Sequence, residues 1–510
     1  MSVKSNRIAG VFSATIAAGL LLGAGQLMAA GTDASAGSWQ MIVLNSPTQI
    51  IVPAPAPAND AGYQAELAAV KSAQGSITKQ QQQAIDYWNK GGVLNWNQIE
   101  VGLVATMDLP PEPNADGTYT FPAAATPFAF PQFPFANPPY AARSYSYVAV
   151  ATYEALKVAW YYKYLYKRAA PYNAGTGIQA LSPASDLPSY PSEDAVESAV
   201  SQTLLSVLFP TQVAIINQKA AEQQQAALLS GKATASDIAA GVALGQAVAA
   251  IFVARAGQDG LKAATGTQAQ WDALAAVAAA KGEIPWKSME TPARPPMLPF
   301  YGAVQTWMMT AADLLKERPG PPPSTHSSQM ATELAEVKYA VTHLTRAQAA
   351  TSYKWADGAS SPTPPGHWNL IADTYIESAD FSEVRAARTL ALLNMAMHDG
   401  AVGCWDTKFA YFNPRPSQLD PSLKTQIGLP NFPSYESGHS VFSAAAASVL
   451  SYIFPQGAGF FAAQANEAAL SRLYAGIHFR SDIAVGLTHG TAIGGYSVRF
   501  GQRDGADSGK

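Results

Sequence analysis

The chain has 510 residues, of which 48% are hydrophobic and only 13% charged, with 32 lysines and arginines against 36 aspartates and glutamates. So much apolar side chain excludes a disordered, highly charged protein, and the length allows roughly two to four ordinary domains or one large helical body. A net charge of −4 argues against a nucleic-acid binder, whose affinity would come from a basic surface.

A mean hydropathy near zero is high for a soluble protein, so the placement of the apolar residues matters. Lys4 and Arg7 precede an apolar run, Ile8 to Leu22, and then the small-residue stretch Met28-Ala29-Ala30-Gly31. This is the pattern of a secretory signal peptide, residues 1–30, and predicts an exported protein, periplasmic or secreted. The run is marginal for a span of about 20 residues. The strongest later candidates, Tyr145 to Tyr166 and Val441 to Phe454, are broken by Glu154, Lys157, Lys163 and several serines. They suit core helices, so no stable membrane insertion is expected after signal removal. The single cysteine, Cys404, reads as a small buried residue.

From about Ala61 onward the sequence is Ala- and Leu-rich with helical spacing. Amphipathic stretches recur at 190–230, 235–256, 268–281, 329–350 and 381–400, and few segments alternate with the period of a strand. The prediction is an all-α fold of helical bundles. Three proline-rich stretches interrupt it: Leu109 to Tyr140, Pro292 to Pro299 and Pro319 to Pro323. The first also carries Phe121, Phe128, Phe130, Phe133 and Phe135 and reads as an extended wrap over a helical surface. The last gives a boundary near residue 325, separating a helical scaffold, 31–325, from a second helical domain, 326–510. No short-period internal repeat is evident.

The last third concentrates chemistry. Lys408 is followed by Arg415-Pro416, then by Pro433-Ser434-Tyr435-Glu436-Ser437-Gly438-His439, then by Ser471-Arg472, His478 and Asp482. Three cations, two histidines, a small-residue turn and a carboxylate fit a tetrahedral oxyanion. Arg415 and Arg472 offer forked N–H donors to two oxygens, and Lys408 adds a compact charge. Ser437-Gly438-His439 stands before a helical run, Ser440 to Ile453, where the glycine lets backbone approach an anion at the positive helix end. His478 and Asp482 are four apart, so on a helix the carboxylate can accept the Nδ1–H and leave the other nitrogen as nucleophile or ligand. Arg472 and His478 are six apart and would lie on different faces of one helix, so the spacing predicts a helix ending near Gly476 and another beginning around Ser481. A zinc site from His398, Asp399 and His439 lacks zinc-ligand spacing. His326, His343, His367 and His489 show no partner pattern.

The ordered set of these three segments resembles the signature of the type 2 phosphatidic acid phosphatase (PAP2) and vanadium haloperoxidase superfamily. Trp355-Ala356-Asp357-Gly358 and Pro364-Pro365-Gly366-His367-Trp368-Asn369 resemble its bacterial haloperoxidase-related branch. The resemblance implies four-helix bundles with the anion at one bundle end. It implies His478 as vanadium ligand or phosphate-accepting nucleophile, His439 as acid–base group and Asp482 as the orienting carboxylate. Lys408, Arg415, Arg472, Ser437 and the Gly438 N–H would hold the oxygens.

Two enzymes share such a site. A peroxidase oxidises halide with hydrogen peroxide at vanadate bound to His478. An acid phosphatase without a cofactor hydrolyses phosphomonoesters through a phosphohistidine at His478. Phe432, seven before His439, resembles the chloroperoxidase choice, and Asn394 to Met397, Asp399 and Trp405 also resemble the haloperoxidase branch. Pro414 and Glu436 depart from it, because tryptophan and proline are usual there, and a carboxylate at 436 would repel anions unless it points to solvent. Peroxidase is the preferred reading, with phosphatase and then a non-catalytic phosphate- or vanadate-binding protein as alternatives. The partners expected are small molecules, peroxide and halide or a phosphomonoester, and no nucleic acid. The oligomeric state is left open.

Overall fold

The computed structural model describes residues 33–110, 113–119 and 138–507. The expected signal peptide lies outside the described residues, as does most of the proline-aromatic stretch. Within its described part, the Tyr119 hydroxyl donates to Pro292 O at 3.2 Å.

Among the described residues every regular element is helical, as expected. The N-terminal half holds α1 (Ala61–Gln74), α2 (Lys79–Trp88), α3 (Gly92–Met107), α4 (Pro138–Tyr166), α5 (Glu193–Leu208), α6 (Val213–Leu229), α7 (Ala235–Ala256) and α8 (Gln268–Ala280). After α9 (Ala311–Glu317) come α10 (Ser328–Thr342), α11 (Arg346–Lys354), α12 (Thr363–Ala379), α13 (Glu383–Tyr411), α14 (Pro416–Leu419), α15 (Gly438–Ile453), α16 (Ala458–Tyr474) and α17 (Arg480–Gly501). The apolar stretch 190–230 divides between α5 and α6 at Pro210, which has no N–H to continue a helix. The stretch 329–350 divides where Thr345 caps α11 reciprocally with Gln348. The predicted break before His478 is present: α16 stops at Tyr474, Gly476 takes φ 77°, and α17 begins at Arg480.

The helices α13, α15, α16 and α17 pack as one bundle, α4 to α7 as another, and the long helices α4 and α13 lie against each other. The two bundles are copies. Helices α4 to α7 have 29, 16, 17 and 22 residues, and α13, α15, α16 and α17 repeat the series 29, 16, 17 and 22. Matching residues stand 245 positions apart throughout (388 − 143, 437 − 192, 482 − 237). Pro188-Ser189-Tyr190-Pro191-Ser192 answers Pro433-Ser434-Tyr435-Glu436-Ser437, and Ser236-Asp237-Ile238-Ala239 answers Ser481-Asp482-Ile483-Ala484.

The contacts repeat with the sequence. Arg143 Nε meets Asp259 Oδ2 at 2.7 Å while its Nη2 donates to Ala256 O at 2.9 Å; Arg388 Nε meets Asp504 Oδ2 at 2.6 Å while its Nη2 donates to Gly501 O at 2.7 Å. On α4, the Glu154 carboxylate accepts the N–H groups of Ile42, Val43 and Leu44. At the matching place on α13, Asp399 accepts those of Trp307 and Met308. Each long helix therefore ties down an irregular segment that precedes its bundle. The repeat is a long one, and a scan for short periods passes over it.

One hydrophobic cluster spans both bundles, including Ala36, Trp160, Trp368, Trp405 and Ala506. A smaller one joins Met330 and Val337 of α10 to Leu473, Phe479 and Ile483. The stretch Ala235–Ala263, which contains α7 and has mean hydropathy 1.8, is long and apolar enough by composition to cross a membrane, which corrects the expectation that residues 145–166 and 441–454 were the strongest later candidates. Its apolarity serves packing: a Cβ on Gly241 would lie 2.4 Å from Ser192 O, so α7 approaches α5 at backbone distance.

Candidate active site

Five elements bring the predicted residues together. Lys408 comes from the last turn of α13 and Arg415 from the N-cap of α14. Ser437, Gly438 and His439 open α15, Arg472 lies in the last turn of α16, and His478 and Asp482 flank the start of α17. The Ser437 N–H donates to Asp482 O at 3.0 Å, fastening the start of α15 to that of α17. Close packing makes this possible, since a Cβ on Gly490 would lie 2.3 Å from Val441 O.

His478 is the best defined group. Its Nδ1 lies 2.9 Å from Asp482 Oδ2, which also accepts the Ser434 hydroxyl at 2.5 Å and the Phe479 N–H at 3.1 Å. Arg415 Nη1 stands 2.9 Å from His478 Nε2. A guanidinium only donates, so Nε2 carries the lone pair and Nδ1 the proton; the partners assign this tautomer. Burial, then the cations of Arg415, Lys408 and Arg472, hold the imidazole well below its usual pKa and keep it neutral.

Arg415 is held from behind by Phe432 O at 3.0 Å and Ile477 O at 2.9 Å, and its Nη2 is buried with no hydrogen-bond partner. Arg472 donates through Nε to Ser471 Oγ at 2.9 Å and through Nη2 to Trp355 O. Lys408 donates to the carbonyls of Pro433 at 2.8 Å, Ser434 at 2.9 Å and Glu436. All three ammonium donors are engaged, so Lys408 acts here as a buried charge rather than as a direct donor. Burial pushes Lys408 down to about 8, Arg415 to about 9 and Arg472 to about 10. Ser437 Oγ caps α15 by accepting the Ser440 N–H at 3.4 Å, which leaves its hydroxyl proton available.

A cavity of about 520 Å³ opens onto this centre. His439, His478, Arg472 and Gly438 line its inner end, Trp405, Phe432, Phe442 and Met297 give an apolar wall, and Asp108, Arg294 and Asn431 give polar patches. Phe432 serves the cations as well, its ring centroid lying 5.1 Å from Lys408 Nζ and 5.1 Å from Arg415 Cζ. A site with three buried cations beside Asp482, and with Arg415 Nη2 unpartnered, fits an oxyanion.

Two features lay beyond the sequence reading. His439 Nε2 is 3.5 Å from Asp357 Oδ2, within ionic range but short of a closed hydrogen bond, and Asp357 Oδ1 is 3.1 Å from His367 Nδ1. His367 stacks on Trp355 with centroids 4.1 Å apart. His367 therefore has a partner, contrary to expectation, and Asp357 backs the acid–base candidate. Burial and then Arg472 hold His439 down to about 4 against the pull of Asp357. The signal was present in the Trp355-to-Gly358 and Gly366-His367 segments, whose sequence distance from His439 hid the contact. Glu436 is the second correction. It points neither to solvent nor into the cavity but to His489, with Oε1 2.5 Å from Nδ1, both buried. His489 thus gains a partner too. The zinc candidates separate, since Asp399 accepts backbone N–H groups and His398 Nδ1 lies 3.3 Å from the Tyr301 hydroxyl.

Comparison with known proteins bears out the resemblance. Residues 388–506 match the PAP2 superfamily model. That segment holds every residue predicted for the centre, though not Asp357, which backs His439. Solved structures share the all-α fold over most of the chain. A bacterial vanadium-dependent iodoperoxidase is 21% identical, with a TM-score of 0.55 over 71% of this chain and 91% of that one. A bacterial vanadium-dependent chloroperoxidase in its apo form is 13% identical, with a TM-score of 0.52 over 72% of this chain and 94% of that one. Its holo form is 12% identical, with a TM-score of 0.51 over 72% and 92%. The comparison with curated proteins gives no match.

Proposed function

We propose that the chain is an exported PAP2-type oxyanion enzyme, a haloperoxidase-like peroxidase that oxidises halide with hydrogen peroxide at vanadate held by His478. The supporting observation is the neutral His478 lone pair, fixed by Asp482 at 2.9 Å and set among Arg415, Arg472, Lys408 and the start of α15. Vanadate, when bound, supplies a Lewis acid that activates peroxide. His478 Nε2 would hold it once Arg415 Nη1 releases the imidazole. Both Arg415 amino groups, Arg472, the Ser437 hydroxyl and the Gly438 N–H would meet its oxygens, while Lys408 adds charge through the carbonyls that hold it. His439 would take the proton from the incoming peroxide and return it to the departing oxygen, with Asp357 stabilising the charged imidazole. The fold shared with an iodoperoxidase and a chloroperoxidase, and the inward turn of Glu436 to His489, support this reading.

The phosphatase reading draws on the cavity, whose 520 Å³ exceeds what halide and peroxide need and suits the alcohol portion of a phosphomonoester. His478 Nε2 would attack phosphorus, His439 would protonate the leaving alcohol, and water activated by His439 would release phosphate. In the proposed division, a signal peptide (1–30) and a helical scaffold (31–325) precede the catalytic part (326–510).

The test assays the mature protein two ways: halide-dependent dye oxidation with peroxide after orthovanadate loading, and p-nitrophenyl phosphate hydrolysis without vanadate. Halide oxidation lost in His478→Ala is expected. Vanadate-inhibited hydrolysis without halide oxidation establishes the phosphatase, and anion binding without turnover establishes a binding protein.

A further inference from the structure

The repeat sets a second copy of the site's frame into the N-terminal half. Lys163 stands where Lys408 does, Ser192 where Ser437 does and Asp237 where Asp482 does; Gly231, with φ 79°, answers Gly476, with φ 77°. The connections match. The Ser192 N–H donates to Asp237 O at 3.0 Å, as that of Ser437 donates to Asp482 O at 3.0 Å. Lys163 Nζ donates to Pro188 O, as Lys408 Nζ donates to Pro433 O. Among the residues that differ are those turned toward the anion, Arg415 included, which Ala170 replaces. Ala227 replaces Arg472, Ala233 replaces His478, Glu193 replaces Gly438 and Asp194 replaces His439.

The replacements are complementary in charge. Glu193 and Asp194 put two carboxylates into the first turn of α5, at its positive end. Glu193 Oε2 lies 2.7 Å from Lys163 Nζ, and Lys232 Nζ lies 2.6 Å from Asp194 Oδ2 and 3.6 Å from Glu193 Oε1. Arg168 Nη1 meets Asp237 Oδ1 at 3.0 Å. The cations Lys163, Lys232 and Arg168 are thus balanced by Glu193, Asp194 and Asp237, with Glu197 and Glu383 close by and pushed toward their neutral forms by burial. In the C-terminal copy three buried cations face two carboxylates, Asp482 acting on Lys408 and Arg415 and Asp357 on Arg472, while Glu436 is paired with His489. Gly438 leaves open the place that the Glu193 side chain fills. Unbalanced buried charge is costly, so the C-terminal copy draws an anion from outside and the N-terminal copy does not need one.

We infer that residues 138–260 form a second oxyanion cradle, closed by the carboxylates of Glu193 and Asp194 in place of an exogenous anion, and hence a latent site for a phosphate-like ion. Against burial, which raises it, Lys163 and Lys232 hold the Glu193 carboxyl down to about 2, while burial raises that of Asp194, so Glu193 carries the persistent internal charge. The inference rests on the C-terminal centre taking an oxyanion.

Calorimetric titration of the mature chain with orthovanadate tests it. One ion per chain is expected, and none in an Arg472→Ala/His478→Ala variant. Adding Glu193→Gly and Asp194→Asn to that variant opens the N-terminal cradle, so its Tm should rise by about 2 °C or more in excess phosphate over matched chloride. Two ions per wild-type chain, or one in the double variant, overturns the inference, as does a folded quadruple variant whose Tm ignores phosphate. If the quadruple variant does not fold, the ion count decides alone. No ion on the wild-type chain instead refutes the oxyanion reading of the C-terminal centre, whichever activity is assayed.

Discussion

At the scale of the residue, the centre is a set of charges deprived of water, and its pH behaviour follows. Lys408 sits near pKa 8 and Arg415 near 9 because burial disfavours their charged forms. A bound oxyanion favours those same forms, so it binds best below both values and loses affinity as each proton leaves. Phosphate affinity is therefore expected to fall from about pH 8 to about pH 10, where phosphate is already the dianion, by up to about tenfold per pH unit for each proton lost. Calorimetry across that range checks it, and a flat profile refutes the charge assignment. Asp357 acts through His439, raising its pKa. Asp357→Asn should therefore move the acid limb of kcat to lower pH. A mutant that loses only stability would leave the limb in place.

At the scale of the element, helix termini position the site and glycine contacts set its spacing. A Cβ on Gly490 would meet Val441 O at 2.3 Å, whereas one on Gly495 would meet only the Arg499 side-chain end at 3.1 Å. Gly490→Ala should lower the unfolding free energy by about 1–3 kcal/mol through forced separation of α15 and α17. It should weaken anion binding as well, since the Ser437-to-Asp482 link joins the same helices. Gly495→Ala should be neutral or slightly stabilising, by up to about 1 kcal/mol. Denaturant titration of both variants decides. The helix break at Gly476 was legible in sequence because two residues meeting one anion could not share a straight helix. The Asp357 contact was not, because nothing local joins a loop before α12 to the start of α15.

At the scale of the whole molecule, the two bundles are held by matching ion pairs, Arg143 with Asp259 and Arg388 with Asp504, each nearly inaccessible to water. Breaking either leaves a buried carboxylate, so Arg143→Met and Arg388→Met should each cost about 3–5 kcal/mol. Their effects on the centre should differ. Arg388 lies on α13, which also carries Lys408, whereas Arg143 lies in the other copy, so folded Arg143→Met should keep its oxyanion affinity. An equal loss of affinity in both would show that the halves do not divide the work.

The sequence by itself determined the all-α class and the order of the anion-binding segments, because helical period is a local property that survives folding. Its low charge and high apolar content were also fixed there, and they become the buried faces of two bundles. The His478-to-Asp482 pair formed at the expected spacing but not along a helix, since His478 precedes Phe479, the N-cap of α17, and Asp482 reaches it from the first turn. Tertiary structure alone decided how the long-range groups meet. It turned Glu436 toward His489 instead of toward the anion, engaged the Lys408 donors on carbonyls and placed Asp357 behind His439. It also gave the repeat its meaning. Two copies of one frame differ in whether the buried cations meet the chain's own carboxylates, and that balance depends on which side chains share a water-free space.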